Sequence, residues 1–285
     1  MTTTSPSFHA WPIPKIPRSA DDVWSASYPD FVAMVNQTNV MPGAYATLST
    51  WALHSRMDQD STVLEVACTT GFSSRELARL TGCSATGFDL SADSVALARY
   101  NHHDAGRDLR LQYVQADGIT YAPNRRFSHI VVGAALGFFP DPAAMTARLP
   151  DLLEDGGYVL ASPFWSSKPL PPVVAALRRD IFGISSPMET REQARSLFTG
   201  LDVLYQADHA LAPESDAEIR HYCFSTVDRA CAQSGIEDQL VRAAMISRLR
   251  SIKRATNRLR EHQNYSVLVL RYNATTYPRR FVELF

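Results

Sequence analysis

Cysteine is sparse, and what there is does not form a framework. The four cysteines, Cys68, Cys83, Cys223 and Cys231, include no CxxC pair and no metal-type spacing. If Cys223 and Cys231 share a helix, their separation is about 12 Å, beyond the roughly 7 Å Cα limit for a disulfide. Free thiols in a reducing, cytoplasmic setting are therefore expected, with no metal site. Long apolar runs are also lacking. None reaches the roughly 20 residues that span a bilayer, and the opening MTTTSPSFHAWPIPKIP has no basic region followed by an apolar one. An excess of one charge is missing too, with 28 Lys and Arg against 29 Asp and Glu and a net charge of -1. That balance argues against a whole-protein footprint for nucleic acid or an anionic membrane.

What is present fits a globular chain with a sizeable core: 285 residues, 45% hydrophobic and 20% charged. Pro12, Pro14 and Pro17 hold residues 1–18 extended. Ser19-Ala20-Asp21-Asp22 then caps a first helix, and a second follows Pro42-Gly43 over Ala44 to Ser55. From residue 61 the rhythm is strand, helix, strand: STVLEVAC, SSRELARLTG closed by Gly82, SATGFDL, a helix capped by Ser91, LRLQYVQAD, SHIVVGAAL, a helix DPAAMTARLPDLLEDGG, and YVLASPF. This βαβαβ alternation predicts a doubly wound parallel sheet covered on both faces. After Pro163 come helical stretches at PLPPVVAALRRDIF and ETREQARSLFTG, a strand LDVLYQADHALA, a helix from Ser215, and a long helix striped with Val241, Met245, Leu249, Ile252 and Leu259. The strand NYSVLVLRYN closes the pattern. The expected organisation is an extended segment 1–18, a helical cap 19–60, a ligand-binding core 61–164, and insertions with closing strands 165–285.

Glycine is short in one informative place. VLEVACTTGFSS, Val63 to Ser74, has the outline of a nucleotide-binding turn but keeps only Gly71. In an open parallel sheet the ligand crevice lies at the carboxyl ends of the strands. There the chain places Glu65, then Asp89 with Leu90, then Ala116-Asp117-Gly118. An acid ending the second strand is placed to accept both hydroxyls of a ribose.

On these residues the chain resembles the class I S-adenosylmethionine-dependent methyltransferases over roughly Ser61 to Phe164. The resemblance implies a Rossmann-like seven-stranded sheet with N-terminal helices and a helical insertion before the last strand. It also implies S-adenosyl-L-methionine as cofactor, with the first turn (Glu65, Ala67, Cys68, Thr69, Gly71) under the methionine part. Asp89 and Leu90 would serve the ribose, Asp117 and Gly118 the adenine, and Gly133 would lie beside them. Because this cofactor has no phosphate, Cβ atoms at Ala67 and Thr69 are tolerable where a dinucleotide would demand glycine. Thr69 or Thr70 could bond the cofactor carboxylate or simply satisfy the turn. Asn36, Gln37, Thr38 and Asn39 could reach the same carboxylate or form an interhelix turn.

The reacting carbon is expected over Gly133 to Pro142 and Ala161 to Ser167. Tyr28 and Phe138 are the candidates beside the sulfonium, where cation–π attraction contributes about 0.5 to 2 kcal/mol. Tyr45, Phe139, Phe164 and Trp165 are the candidate substrate-side walls. No general base is visible; His129 lies at the wrong end of its strand. His221 and Tyr222 read as ordinary helix residues or part of a lid. The basic run from Arg248 to Arg260 reads as a solvated face, or as a contact for a second copy or a carrier protein. The expected activity is methyl transfer to a small molecule in natural-product biosynthesis. The alternatives are cyclisation of the cofactor to azetidine-2-carboxylate and methylthioadenosine, and a noncatalytic binding scaffold.

Overall fold

Alternating side chains decide the architecture. In the computed structural model, which describes residues 16–38, 41–104 and 108–274, consecutive residues of each inner strand enter opposite core clusters. Val131, Leu160, Val267 and Val269 join Leu48, Trp51 and Leu77 on one face. Ile130, Val132, Val159, Leu268 and Leu270 join Phe88, Met145 and Leu149 on the other. A sheet covered on both faces reads in sequence as near-continuous apolar runs, as these do.

The strands are β1 (Thr62–Val66), β2 (Ser84–Asp89), β3 (Leu111–Gln115), β4 (Phe127–Gly133), β5 (Leu153–Ala161), β6 (Phe164–Trp165), β7 (Asp202–Ala210) and β8 (Asn264–Arg271). β3, β2, β1, β4 and β5 lie side by side and parallel; β8 runs antiparallel to β5, and β7 antiparallel to β8. The count is eight where seven were expected. The extra strand is the two-residue β6, which pairs with Asn264 and Tyr265 further along the same edge of β8 that β5 uses. The sheet is therefore seven strands wide.

The helices are α1 (Ala20–Ser25), α2 (Tyr28–Met34), α3 (Ala44–His54), α4 (Phe72–Thr81), α5 (Ala92–Asp104), α6 (Pro142–Ala147), α7 (Leu149–Leu152), α8 (Pro172–Phe182), α9 (Arg191–Ser196), α10 (Asp216–Ser234) and α11 (Gln239–Arg260). Ser19 caps α1 in a reciprocal box with Asp22, Ser91 accepts from the Ser94 amide at the start of α5, and Gly82 ends α4 in the left-handed region, as the sequence predicts. Two expectations fail. The helix expected to run to Gly157 stops at Leu152, and Leu153–Gly157 belong to β5. Pro150 lacks the amide a continuous helix needs, so the stretch divides into α6 and α7. The helix drawn through Gly200 ends at Ser196.

A third apolar cluster lies off the sheet. Val23, Phe31 and Val35 from the N-terminal helices pack with Val227, Met245, Leu249 and Ile252 of α10 and α11. The predicted α11 stripe is buried throughout. Arg248 stacks over Phe31 and donates to the Val23 and Ala26 carbonyls, so it belongs to this interior junction and not to a solvated face. Residues 1–15, with Pro12 and Pro14, lie outside the described residues.

Candidate active site

The turn between β1 and α4 keeps a glycine-type path with a single glycine. Ala67, Thr69 and Gly71 have φ of 50°, 46° and 70°. For residues bearing a Cβ, that region costs about 1 kcal/mol or more each. Surrounding bonds hold it in place. The Cys68 amide donates to the Phe88 carbonyl (2.9 Å) and the Gly71 amide to the Cys68 carbonyl (2.7 Å). The Thr69 amide donates to Asp89 Oδ2 (2.9 Å). Arg75, buried, donates to the Thr70 and Gly71 carbonyls, and Asn101 donates to Thr70.

Gly71 has a second reason to be glycine. A Cβ there would stand 2.5 Å from the Tyr113 hydroxyl oxygen, and that hydroxyl donates to the Gly71 carbonyl. Gly71 also begins α4 with no side chain to cap it. Glu65 supplies the cap from β1, accepting the Ser74 amide at 3.0 Å. Burial raises the Glu65 pKa, with hydrogen bonds from Ser74 and Ser73 and the Arg75 charge opposing the shift. Glu65 thus lies beneath the turn. Cys68 does too: its thiol packs with Val95, Ala98 and Tyr113 and is held protonated by burial.

Asp89 ends β2 with its carboxylate divided between two amides, Thr69 on Oδ2 and Ser91 on Oδ1, both at 2.9 Å. Burial raises its pKa, and these bonds lower it. A carboxylate has about four acceptor positions, so acceptor capacity remains. Leu90 beside it is 72% exposed. Asp117 is exposed at the end of the next strand, its Oδ1 accepting the Ile119 amide in a local turn. Gly118 has a packing role: a Cβ there would press on Phe88 (2.9 Å), Met145 and Phe139 (3.1 Å each). Gly133 closes β4 at φ 57°, and its carbonyl accepts from Ser162 beyond β5.

After β4, Phe138 meets Tyr28 of α2, 110 positions away in sequence, with parallel rings and centroids 6.1 Å apart. Phe182 of α8 sets its ring edgewise on Tyr28 at 5.0 Å. Burial, with Tyr222 adding to it, pushes the Tyr28 hydroxyl up to about 12, so it is a proton donor and not a base at neutral pH. Phe138 is 46% exposed, at the end of a 3₁₀ turn, Ala135–Phe138. The other aromatics are more dispersed. Tyr45 is exposed and stands edgewise on Phe72, Phe139 packs toward Gly118, Phe164 enters the α3 side of the core, and the Trp165 indole donates to Ser266.

The polar run after α2 is tied into the scaffold. Asn36 bonds Asn101 and Gln233 and its carbonyl accepts from Arg229, while Thr70 donates to the Gln37 carbonyl. Asn39 lies outside the described residues. His129 is 3% exposed, stacked on Tyr158 and bonded to Ser128 and the Ser55 carbonyl; burial drops its pKa to about 4. Tyr113, Arg75, Asn101 and Phe182 escaped sequence reasoning. Only the register placing Tyr113 beside Gly87 on β2 could have signalled the first of them.

Comparison with known proteins agrees with this geometry. Residues 63–157 match the family described as methyltransferase domain. The ubiquinone biosynthesis O-methyltransferase of Thiobacillus denitrificans is 29% identical over 100 residues, 35% of this chain and 43% of that protein. This chain therefore spans less than half the length of that relative. Among solved structures, the MccD protein matches with a TM-score of 0.67 at 22% identity, covering 82% of this chain and all of that one. An S-adenosylmethionine-dependent methyltransferase from Geobacter sulfurreducens, solved with S-adenosyl-L-homocysteine, matches at 0.62 with 19% identity, covering 84% and 96%. At such identities these structures speak to the fold alone. Strand order and the matched segment agree: residues 63–157 match the methyltransferase-domain family, and the fold is the one seen in solved S-adenosylmethionine-dependent methyltransferases.

Proposed function

We propose that this protein is an S-adenosylmethionine-dependent methyltransferase acting on a small molecule. The observation that carries the reading is the link between Asp89 and Thr69, which joins the β2 carboxylate to the β1 turn at the carboxyl ends of the strands, beside the exposed Leu90. Its donor set suits a nucleoside without phosphate. The Asp89 carboxylate keeps acceptor capacity for ribose hydroxyls, Leu90 offers a face for adenine, and Asp117 Oδ2 is available for the adenine amino group. Cβ atoms stand where a pyrophosphate would need bare backbone, and the one arginine at the turn, Arg75, is occupied with its carbonyls.

When bound, S-adenosylmethionine supplies an electrophilic methyl group on a sulfonium. Tyr28 and Phe138 would face that cation and exclude water. The turn from Ala67 to Gly71 would fix the methionine arm. With Tyr28 protonated and His129 buried at the far end of β4, orientation and desolvation carry the acceleration, and the acceptor brings a nucleophile that needs little deprotonation. Four free, buried cysteines support a cytoplasmic setting, and among the described residues no helix is long and apolar enough to cross a membrane. A role in natural-product biosynthesis and a contact with a second copy or a carrier protein through α10 and α11 belong to the same proposal.

The test is incubation with methyl-labelled S-adenosylmethionine and a panel of phenols, amines and carboxylates, followed by mass spectrometry. Labelled product with S-adenosylhomocysteine is expected. Methylthioadenosine formed without acceptor, or no cofactor binding by calorimetry, defeats the reading.

A further inference from the structure

Arg178 and Phe182 lie one turn apart on α8, so their side chains leave the same face of the helix. Phe182 touches Tyr28, and Arg178 reaches the turn after β4: a Cβ placed on Gly137 would stand 3.5 Å from one of its terminal nitrogens. Arg178 is only 9% exposed. Its other terminal nitrogen donates to the Ser186 carbonyl, which uses one of the five N–H donors a guanidinium carries. Glu189 is near enough to favour the charged form, yet the two make no ion pair among the described residues. A guanidinium so enclosed without a bonded carboxylate is costly, and its fork geometry matches a carboxylate or phosphate.

We infer that Arg178 determines acceptor specificity by receiving an anionic group, carboxylate or phosphate, of an acceptor whose apolar body lies against Phe138 and Tyr28. This rests on the methyl-transfer reading, since it assigns the far side of the same crevice. Gly137 keeps a side chain away from one terminal nitrogen, and the Ser186 carbonyl holds the other.

The test titrates the full chain, with and without S-adenosylhomocysteine, with benzoate, phenyl phosphate and neutral benzamide, followed by calorimetry. One anion is expected to bind about tenfold or more tighter than benzamide. Which anion wins separates the carboxylate from the phosphate. Arg178→Gln should erase the preference and Arg178→Lys retain part of it, with S-adenosylhomocysteine affinity the same in all three proteins. Equal affinity of the wild type for charged and neutral probes, or no probe binding, overturns the inference even if the variants fail to fold. So does a preference surviving in Arg178→Gln, or a parallel fall in S-adenosylhomocysteine affinity, which would assign Arg178 to the cofactor. Failure of the wild type to bind S-adenosylhomocysteine defeats the methyl-transfer reading separately, because the probe preference is also read without it.

Discussion

The tips of β1 to β3 and the turn after β4 are built in opposite ways. The first is a lattice of backbone bonds: Asp89 grips two amides, Glu65 caps a helix across the turn, and Arg75 and Asn101 hold its carbonyls. The second is aromatic: Phe138 lies parallel to Tyr28, Phe182 stands edgewise on it, and a buried arginine lies beside them. Directional bonds fix positions to fractions of an ångström and tolerate little change. Stacked rings define a wall and leave the shape of the ligand open. On the proposed reading, the first half would suit a single cofactor and the second a class of acceptors.

The sharpest way to break this contrast is Gly71→Ala. The left-handed backbone and the collision with Tyr113 together predict a loss of about 3 to 5 kcal/mol in denaturant titration. A loss under about 1 kcal/mol would mean the turn is not locked from below. A control far from the crevice is His129, whose folded pKa of about 4 lies below the ordinary 6.5. The neutral ring is favoured in the folded state, so its contribution is present above pH 6.5 and disappears as pH falls toward 4. That contribution is about 3 kcal/mol. Glu65 and Asp89, with raised values, act in the opposite direction as pH rises through the ordinary carboxylate range. The difference between wild type and His129→Gln in acid denaturation isolates the histidine, and identical pH profiles would rule out the assignment.

Asp89→Ala should weaken S-adenosylhomocysteine binding by about 1.5 to 3 kcal/mol, because charged hydrogen bonds are lost; unchanged calorimetric affinity would remove Asp89 from the site. Phe138→Ala should lower turnover more than cofactor affinity, by about 0.5 to 1.5 kcal/mol. Equal losses would reduce the ring to packing. The smallest effect belongs to Ala67→Gly. Relief of the positive φ competes with the greater freedom of glycine in the unfolded chain, so a net gain of about 0.5 kcal/mol in stability is expected.

The same contrast explains what the sequence disclosed. The strand runs and their terminal acids follow local rules of period and position, so β1 to β5, Asp89 and the caps at Ser19, Ser91 and Gly82 were legible. Tyr28 and Phe138 were singled out by chemistry alone, and tertiary packing joined them. Arg178, Phe182 and Tyr113 act through contacts between distant segments, which no local pattern carries. Gly118 shows the reverse: a motif position whose smallness is explained by three core side chains. The break between α6 and α7 was legible in Pro150, and the apolar periodicity on either side hid it.

The position of β8 has a consequence for synthesis. It follows both β5 and β7 in the chain, yet it lies inside the sheet between them. Until residues 264–271 arrive, the partner edges of both strands stay open, and an open edge is an invitation to pair with another chain. Completion of the sheet therefore depends on a segment made later than either strand it joins.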